Sequence, residues 1–209
     1  MSAMTANESA QMAPMPAGSA ALGEHEFAVL NAIHLKRLAT TEQVVAVTAI
    51  DTTELASVLA VAASAGHVLS MESGHLLLPD GTAAVQRHYH ERYAALRTDP
   101  AIGRWYARFE TLNSRFIALL SAWQQMGSDE RQLRKALEVV DALCTALDQL
   151  LPLLPRYVEY QRRFEDAVAA IDSGDTDLLC NPRRDSAHNI WFELHEDILG
   201  VLGRPRDTT

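Results

Sequence analysis

From residue 24 onward the apolar positions recur with a helical period. In EHEFAVLNAIHLKRLAT, Phe27, Leu30 and Ile33, with Val29 and Leu38, mark one face of an amphipathic helix. Thr40 then has the chemistry of an N-cap, and Gln43 is its capping-box partner at the start of a short helix, TEQVVAVT. Asp51 and Glu54 repeat the device and open a longer helix that ends at Gly66, a residue suited to the left-handed position after a helix. Val68 to Met71 and His75 to Leu78 are β-prone runs joined by ESG, and Pro79-Asp80-Gly81 closes the second. A helix from Thr82 to Arg97 follows. Three helices, a hairpin and a helix within about 75 residues is the winged-helix order.

Asp99-Pro100 marks the boundary to a second, all-helical region. Trp105, Phe109, Leu112, Phe116, Leu119 and Trp123 form one apolar seam, and Leu133, Leu137, Val140, Cys144, Leu147 and Leu151 form another. Gly127 serves as a stop and Ser128 as a cap between these helices, and Pro152 and Pro155 break the second. A third helix from Pro155 to Ile171 offers Tyr157, Tyr160, Phe164, Val168 and Ile171. A turn-rich loop, DSGDTDLLCNPRRD, precedes a final helix capped by Asp185. Long helices on short connections imply antiparallel neighbours. The expected fold is mainly α: a winged helix-turn-helix with a small β-hairpin wing (24–98), then an antiparallel helical bundle (99–203). Residues 1–23, rich in Ala, Ser, Met and Pro without periodicity, read as a disordered tail, and 204–209 as a short C-terminal one.

Charge changes this picture most. The chain carries a net charge of −9, and residues 1–99 alone hold ten acids against five bases. A duplex-binding domain ordinarily shows a basic footprint. The third helix, where a winged helix keeps its recognition residues, offers Thr52, Thr53 and Ser57 but no Arg, Lys, Asn or Gln, and Asp51 and Glu54 stand at its groove-facing end. The hairpin tip carries Glu72 and no base. If DNA were bound, Lys36, Arg37, Thr52, Thr53 and Ser57 would be the contacts; the accounting disfavours it.

Two cysteines, Cys144 and Cys180, give neither a disulfide framework nor zinc-ligand spacing, and no metal or cofactor is expected. The N-terminus lacks the basic and apolar regions of a signal peptide, and no apolar run is long enough to span a membrane, so a cytoplasmic protein is expected.

The most unusual segment is NPRRDSAHNIWFELHEDILG. Ala187, Trp191, Leu194, Ile198 and Val201 form one apolar stripe; His188, Phe192, His195, Leu199 and Leu202 form a second beside it. Asn189, Glu193, Glu196, Asp197 and Gly200 fall on the remaining face, which is expected to meet water. His188 and His195 stand two turns apart, too far to share one metal ion. Either they are hydrogen-bonded core-edge histidines, or with Trp191 they line a polar pocket between the two domains, in which Arg183 and Arg184 provide an anion-binding end. Tyr89, Tyr93 and Trp105 read as packing between the domains. No Ser-His-Asp or Cys-His arrangement emerges, so no catalytic residue is assigned.

DSAHNIWFELHEDIL resembles a run near the end of actinobacterial PEP-utilising proteins similar to pyruvate phosphate dikinase and PEP synthase. WYARFETLNSRFIALLSAWQ resembles the helices that precede that run, so the resemblance spans residues 100–203. Those multidomain enzymes carry a nucleotide-grasp domain and a swivelling phosphohistidine domain. Neither has room in 209 residues, nor is there a Gly-rich phosphate loop, so the family's catalytic residues are not carried over. The resemblance implies an accessory module, a non-catalytic subunit or regulator beside a PEP-dependent phosphotransferase, with a protein partner or a second copy of itself. The alternative is a transcriptional regulator resembling MarR or PadR-type proteins, with the bundle as dimerisation and effector domain.

Overall fold

A computed structural model of the chain describes residues 21–126 and 129–205. Over these, eight α-helices and one two-stranded antiparallel hairpin follow in order: α1 (Glu24–Lys36), α2 (Thr41–Thr48), α3 (Thr52–Ser64), β1 (Val68–Met71), β2 (Gly74–Leu77), α4 (Pro79–Arg92), α5 (Pro100–Met126), α6 (Glu130–Leu147), α7 (Val158–Asp172) and α8 (Ala187–Leu202). Short 3-10 turns at Ala94–Thr98, Pro155–Tyr157 and Thr176–Leu179 join the longer pieces. No single helix among the described residues is long and apolar enough to cross a membrane.

Local chemistry accounts for most of the boundaries. The Thr40 side chain accepts from the Gln43 amide while the Gln43 side chain accepts from the Thr40 amide, the expected capping box. Asp51 accepts from the Thr53 and Glu54 amides, but Glu54 does not reciprocate: its carboxylate pairs with His25 on α1. Gly66 takes φ +73°, and the His67 amide donates back to Ala62 O, closing α3 as expected. The hairpin pairs Val68 with Leu77 and Met71 with Gly74. Ala39 bridges His75 beside it, with N–H···O distances of 3.0 and 2.8 Å. Gly74 permits that approach: a Cβ there would lie 2.7 Å from Ala39 O, at a backbone φ of +131°.

Several expected boundaries shift. Pro79-Asp80-Gly81 is not a closing turn but the first turn of α4, because proline at N1 gives up no hydrogen bond. That helix stops at Arg92, and a 3-10 turn covers the rest of the expected span. Strand β2 starts one residue early, at Gly74. Gly127 and Ser128 lie outside the described residues; α6 is capped by Asp129, which accepts from the Arg131 amide. Pro155–Tyr157 is a 3-10 turn, and α7 proper begins at Val158. The cap of α8 is Ser186, accepting from the Asn189 amide, because the expected cap, Asp185, is engaged by Arg163. The expected N-terminal tail lies outside the described residues as far as residue 20, and Leu22 already belongs to the core.

One continuous core runs from Leu22 to Leu202 and crosses the Asp99-Pro100 boundary. On α5 the buried line is Ile102, Trp105, Tyr106, Phe109, Asn113, Phe116 and Leu120, and on α6 it is Ala136, Val139, Val140, Leu143 and Leu147. The expected Leu112, Leu119, Leu133 and Leu137 flank these lines. Helix α8 runs through the centre and touches α1, α4 and α7.

Candidate functional site

The face of α8 expected to meet water is instead largely buried: Asp197 is 0 % exposed and Glu193 5 %. Their spacing of four residues puts both carboxylates on one side of the helix, and two arginines of the preceding segment meet them. Arg156, in the 3-10 turn before α7, forks onto both oxygens of Asp197, with Nη2 at 2.5 Å from Oδ1. Tyr157 and Tyr160 each donate to Asp197 at 3.1 Å, and Asn31 of α1 donates at 3.2 Å. Asn31 in turn accepts from the Tyr89 hydroxyl at 2.8 Å. One turn earlier on α8, Glu193 accepts from Arg163 at 2.7 Å and from Lys36 at 2.6 Å. Arg163 also grips Asp185 at 2.5 and 2.8 Å.

Every ion in this network faces an opposite charge, which a low-dielectric site requires. Burial, reinforced by the Asp197 charge, drives the Tyr89, Tyr157 and Tyr160 hydroxyls well above the ordinary phenol value, so they are neutral donors. Burial pushes Asp185 upward, but the hydrogen bond and charge of Arg163, with Lys36, outweigh it and hold the carboxyl below its usual range. Arg163 Nη1 is the loose end, buried with no protein partner, and Arg163 borders a hollow of about 60 Å³ between α1, α2 and α7. That is space for a few water molecules.

Arg183 and Arg184 lie on the exposed loop before α8 and help line a cleft of about 420 Å³. Lys36 and Arg37, at the end of α1, line the same cleft with Gln43, Asn189 and Phe192. The expected anion-binding end therefore gathers two residues otherwise assigned to DNA. His188, Trp191 and His195 are not part of that lining. Trp191 is a core anchor: its Nε1 donates to Asn113 Oδ1 at 2.9 Å and its ring stacks on Phe116 at 4.2 Å. His195 packs edge-on to Phe109 and has Tyr106 Oη and Glu110 Oε1 each 3.4 Å from its Nε2. His188 is half-buried, and burial lowers its pKa.

Thr52, Thr53 and Ser57 all lie on the open face of α3, but Ser57 turns its hydroxyl back to Thr53 O at 3.1 Å. Lys36 is drawn toward Glu193 and Asp185, away from any role beside that helix. The rest of the face is Ala56, Ala60, Val61, Ala63 and Ser64, and Val61 is 62 % exposed. On the hairpin, Leu69 and Met71 are exposed as well.

Sequence reasoning missed Asn31, Arg156 and Arg163. The available signal was two carboxylates four residues apart between apolar stripes, with two arginines seven residues apart on an amphipathic helix due to pack antiparallel. No protein-family model, curated protein or solved structure matches this chain.

Proposed function

We propose that α1 to α4 with the hairpin form a winged helix that docks protein rather than DNA, and that the chain is a non-catalytic interaction or regulatory subunit. The resemblance of residues 100–203 favours a PEP-dependent phosphotransferase as the enzyme it serves. The strand-like bridge Ala39↔His75 supports the winged-helix assignment, since such a fold threads a short strand between its first two helices and the wing.

The observation that carries the docking reading is the open face of α3. It presents methyl and hydroxyl groups, no cation and no amide, and Leu69 and Met71 are exposed on β1, the strand that packs against α3. Base edges require donors and acceptors with reach, and phosphates require positive charge; this face has neither. Exposed apolar groups clustered on adjoining elements are the mark of a protein contact. The test is paired. Fluorescence anisotropy with duplex DNA at low salt is expected to show no saturable binding. The host's PEP-dependent phosphotransferase is expected to change activity when this chain is added, and to lose the response with Val61→Glu. Saturable, salt-dependent duplex binding would reverse the assignment.

That reversal corresponds to a second reading, a transcriptional regulator whose bundle is the dimerisation and effector part. The exposed Thr52 and Thr53 and the cleft beside α1 favour it. It requires retardation of a promoter fragment that weakens steeply with salt.

A further inference from the structure

We propose that the cleft between the end of α1 and the start of α8 binds a small organic phosphate through Arg37, Arg183 and Arg184. The argument starts from charge. The floor of the cleft holds two acids, Asp185 and Glu193, but both are engaged from below by Arg163, at 2.5 and 2.7 Å, and Glu193 also by Lys36. Two carboxylates against two cations leave the floor neutral. Above it, Arg184 is shared with Asp175 at 2.8 Å. Among the described residues, neither Arg37 nor Arg183 has a carboxylate within 4.0 Å. Among the described residues the cleft thus keeps two guanidinium groups outside any salt bridge and a third shared with Asp175, on a chain whose net charge is −9, although Glu196 lines a neighbouring hollow with Arg37.

The backbone that carries each of these arginines is held in place. Asn189 Nδ2 donates to Asn181 O at 3.2 Å and to Arg184 O at 2.7 Å, and the Arg183 amide donates to Asn181 Oδ1 at 2.9 Å, so the arginine loop is pinned to the first turn of α8. Arg37 sits at φ +65°, ψ −44°, and the Leu38 amide donates across it to Lys36 O at 2.8 Å. That is a γ-turn of the rare strained form, in a backbone region that L-residues avoid. Glycine fits that backbone better, so Arg37→Gly removes the side chain without adding strain.

Planar guanidinium forks match phosphate oxygens in pairs. The volume of about 420 Å³ leaves room for an organic body beside the phosphate, within the usual range of roughly 300–1,000 Å³ for small-molecule sites. Leu38, Ala46 and Phe192 supply an apolar wall for it. None of this uses α3, so the site and the docking reading stand or fall separately.

Isothermal titration of the full chain with glycerol 3-phosphate and with inorganic phosphate, at low ionic strength, tests the site. The organic phosphate is expected to bind saturably and more tightly than inorganic phosphate. The double variant Arg37→Gly, Arg183→Gln is expected to weaken it by about tenfold or more. The double variant Arg115→Gln, Arg134→Gln, exposed arginines on α5 and α6, removes the same amount of charge and is expected to bind as the parent does. Thermal unfolding checks that the variants are folded. Absence of saturable binding, equal affinity for the two phosphates, or equal weakening by the Arg115→Gln, Arg134→Gln variant would overturn the proposal.

Discussion

Helix α8 is buried on two sides by opposite means. Toward α5 it offers Trp191, and the partners are rings: Phe109 and Phe116 stack on it, while Phe164 of α7 meets it edge-on. Toward α1 and α7 it offers Glu193 and Asp197, and the partners are Lys36, Arg156, Arg163, Asn31 and two tyrosines. The aromatic side gains free energy from area removed from water and tolerates small sliding. The ionic side gains little net free energy, because desolvation offsets attraction, but it is intolerant of error: each charge must find its partner or be stranded. The first side holds the helix in the molecule. The second fixes its register against α1, and with it the placement of the N-terminal elements on the bundle.

The largest effect should come from setting these sides against each other. Asp197→Ala leaves Arg156 without a counter-charge and is expected to cost about 3–5 kcal/mol. Trp191→Ala is expected to cost a similar amount, about 3–5 kcal/mol, through the cavity it opens. The two part company on repair. Asp197→Leu combined with Arg156→Met removes both charges at nearly constant volume, and should recover much of the loss seen with Asp197→Leu alone. Urea unfolding of the singles and the double variant reads this. A double variant no more stable than Asp197→Leu alone would mean that loss of the ion pair itself, and not a stranded Arg156, carries the cost, so that the ionic side is a true source of stability.

The same contrast explains what could be read from the chain. Features decided within a few residues were legible: the Thr40–Gln43 box, the Asp51 cap, the Gly66 stop and the two β-prone runs of the hairpin. The apolar seams were legible in kind but rotated in detail. Helix α5 faces both α6 and α8, so its buried line includes Asn113, which a hydropathy pattern assigns to water but which Trp191 Nε1 needs as an acceptor. Glu193 and Asp197 failed for the same reason on a larger scale. A carboxylate facing water and one facing an arginine some 30 to 40 residues away have identical local patterns. The cleft was half legible. Arg183 and Arg184 announced a cationic end, but only tertiary packing brings Lys36 and Arg37 from the far end of the chain to join them.

A moderate effect is expected from acid. His34, His88 and His188 are all held below the usual imidazole value, chiefly because burial disfavours the charged ring; Arg37 adds to this at His34 and Arg156 at His88. A base whose pKa is depressed by folding binds protons more readily when unfolded. Stability is therefore complete above the unfolded value of about 6.5 and declines as pH falls below it. Asp185, depressed below the usual carboxyl range, adds a second loss that begins only below about pH 4. Urea midpoints measured between pH 8 and pH 3 should show these two stages. Replacing His88, which stacks on Phe27 at 3.8 Å, with Gln should flatten the first stage. A midpoint unchanged from about pH 7 to 5 would show that the rings are freely protonated in the folded chain.

The smallest effect concerns Cys144 on α6, within the aromatic half. Burial pushes its thiol up to about 12, and the charges of Asp141, Glu165 and Asp148 act in the same direction. Only the thiolate is nucleophilic, so the native chain should leave this sulfur almost unreactive at pH 8. In a Cys180→Ser variant, which makes Cys144 the one thiol of the chain, iodoacetamide is expected to react slowly under native conditions and promptly in urea. The native rate then reports how often α6 lifts from α5 and α7, since Gln161 Nε2 also donates to the Cys144 carbonyl at 2.9 Å. Repeating the measurement with Asp197→Leu gives the finest form of the comparison. If the ionic side sets register and the apolar side holds the bundle, labelling of Cys144 should scarcely accelerate. A rate that rises as steeply as it does with Trp191→Ala would show that the two sides of α8 act as one cooperative unit.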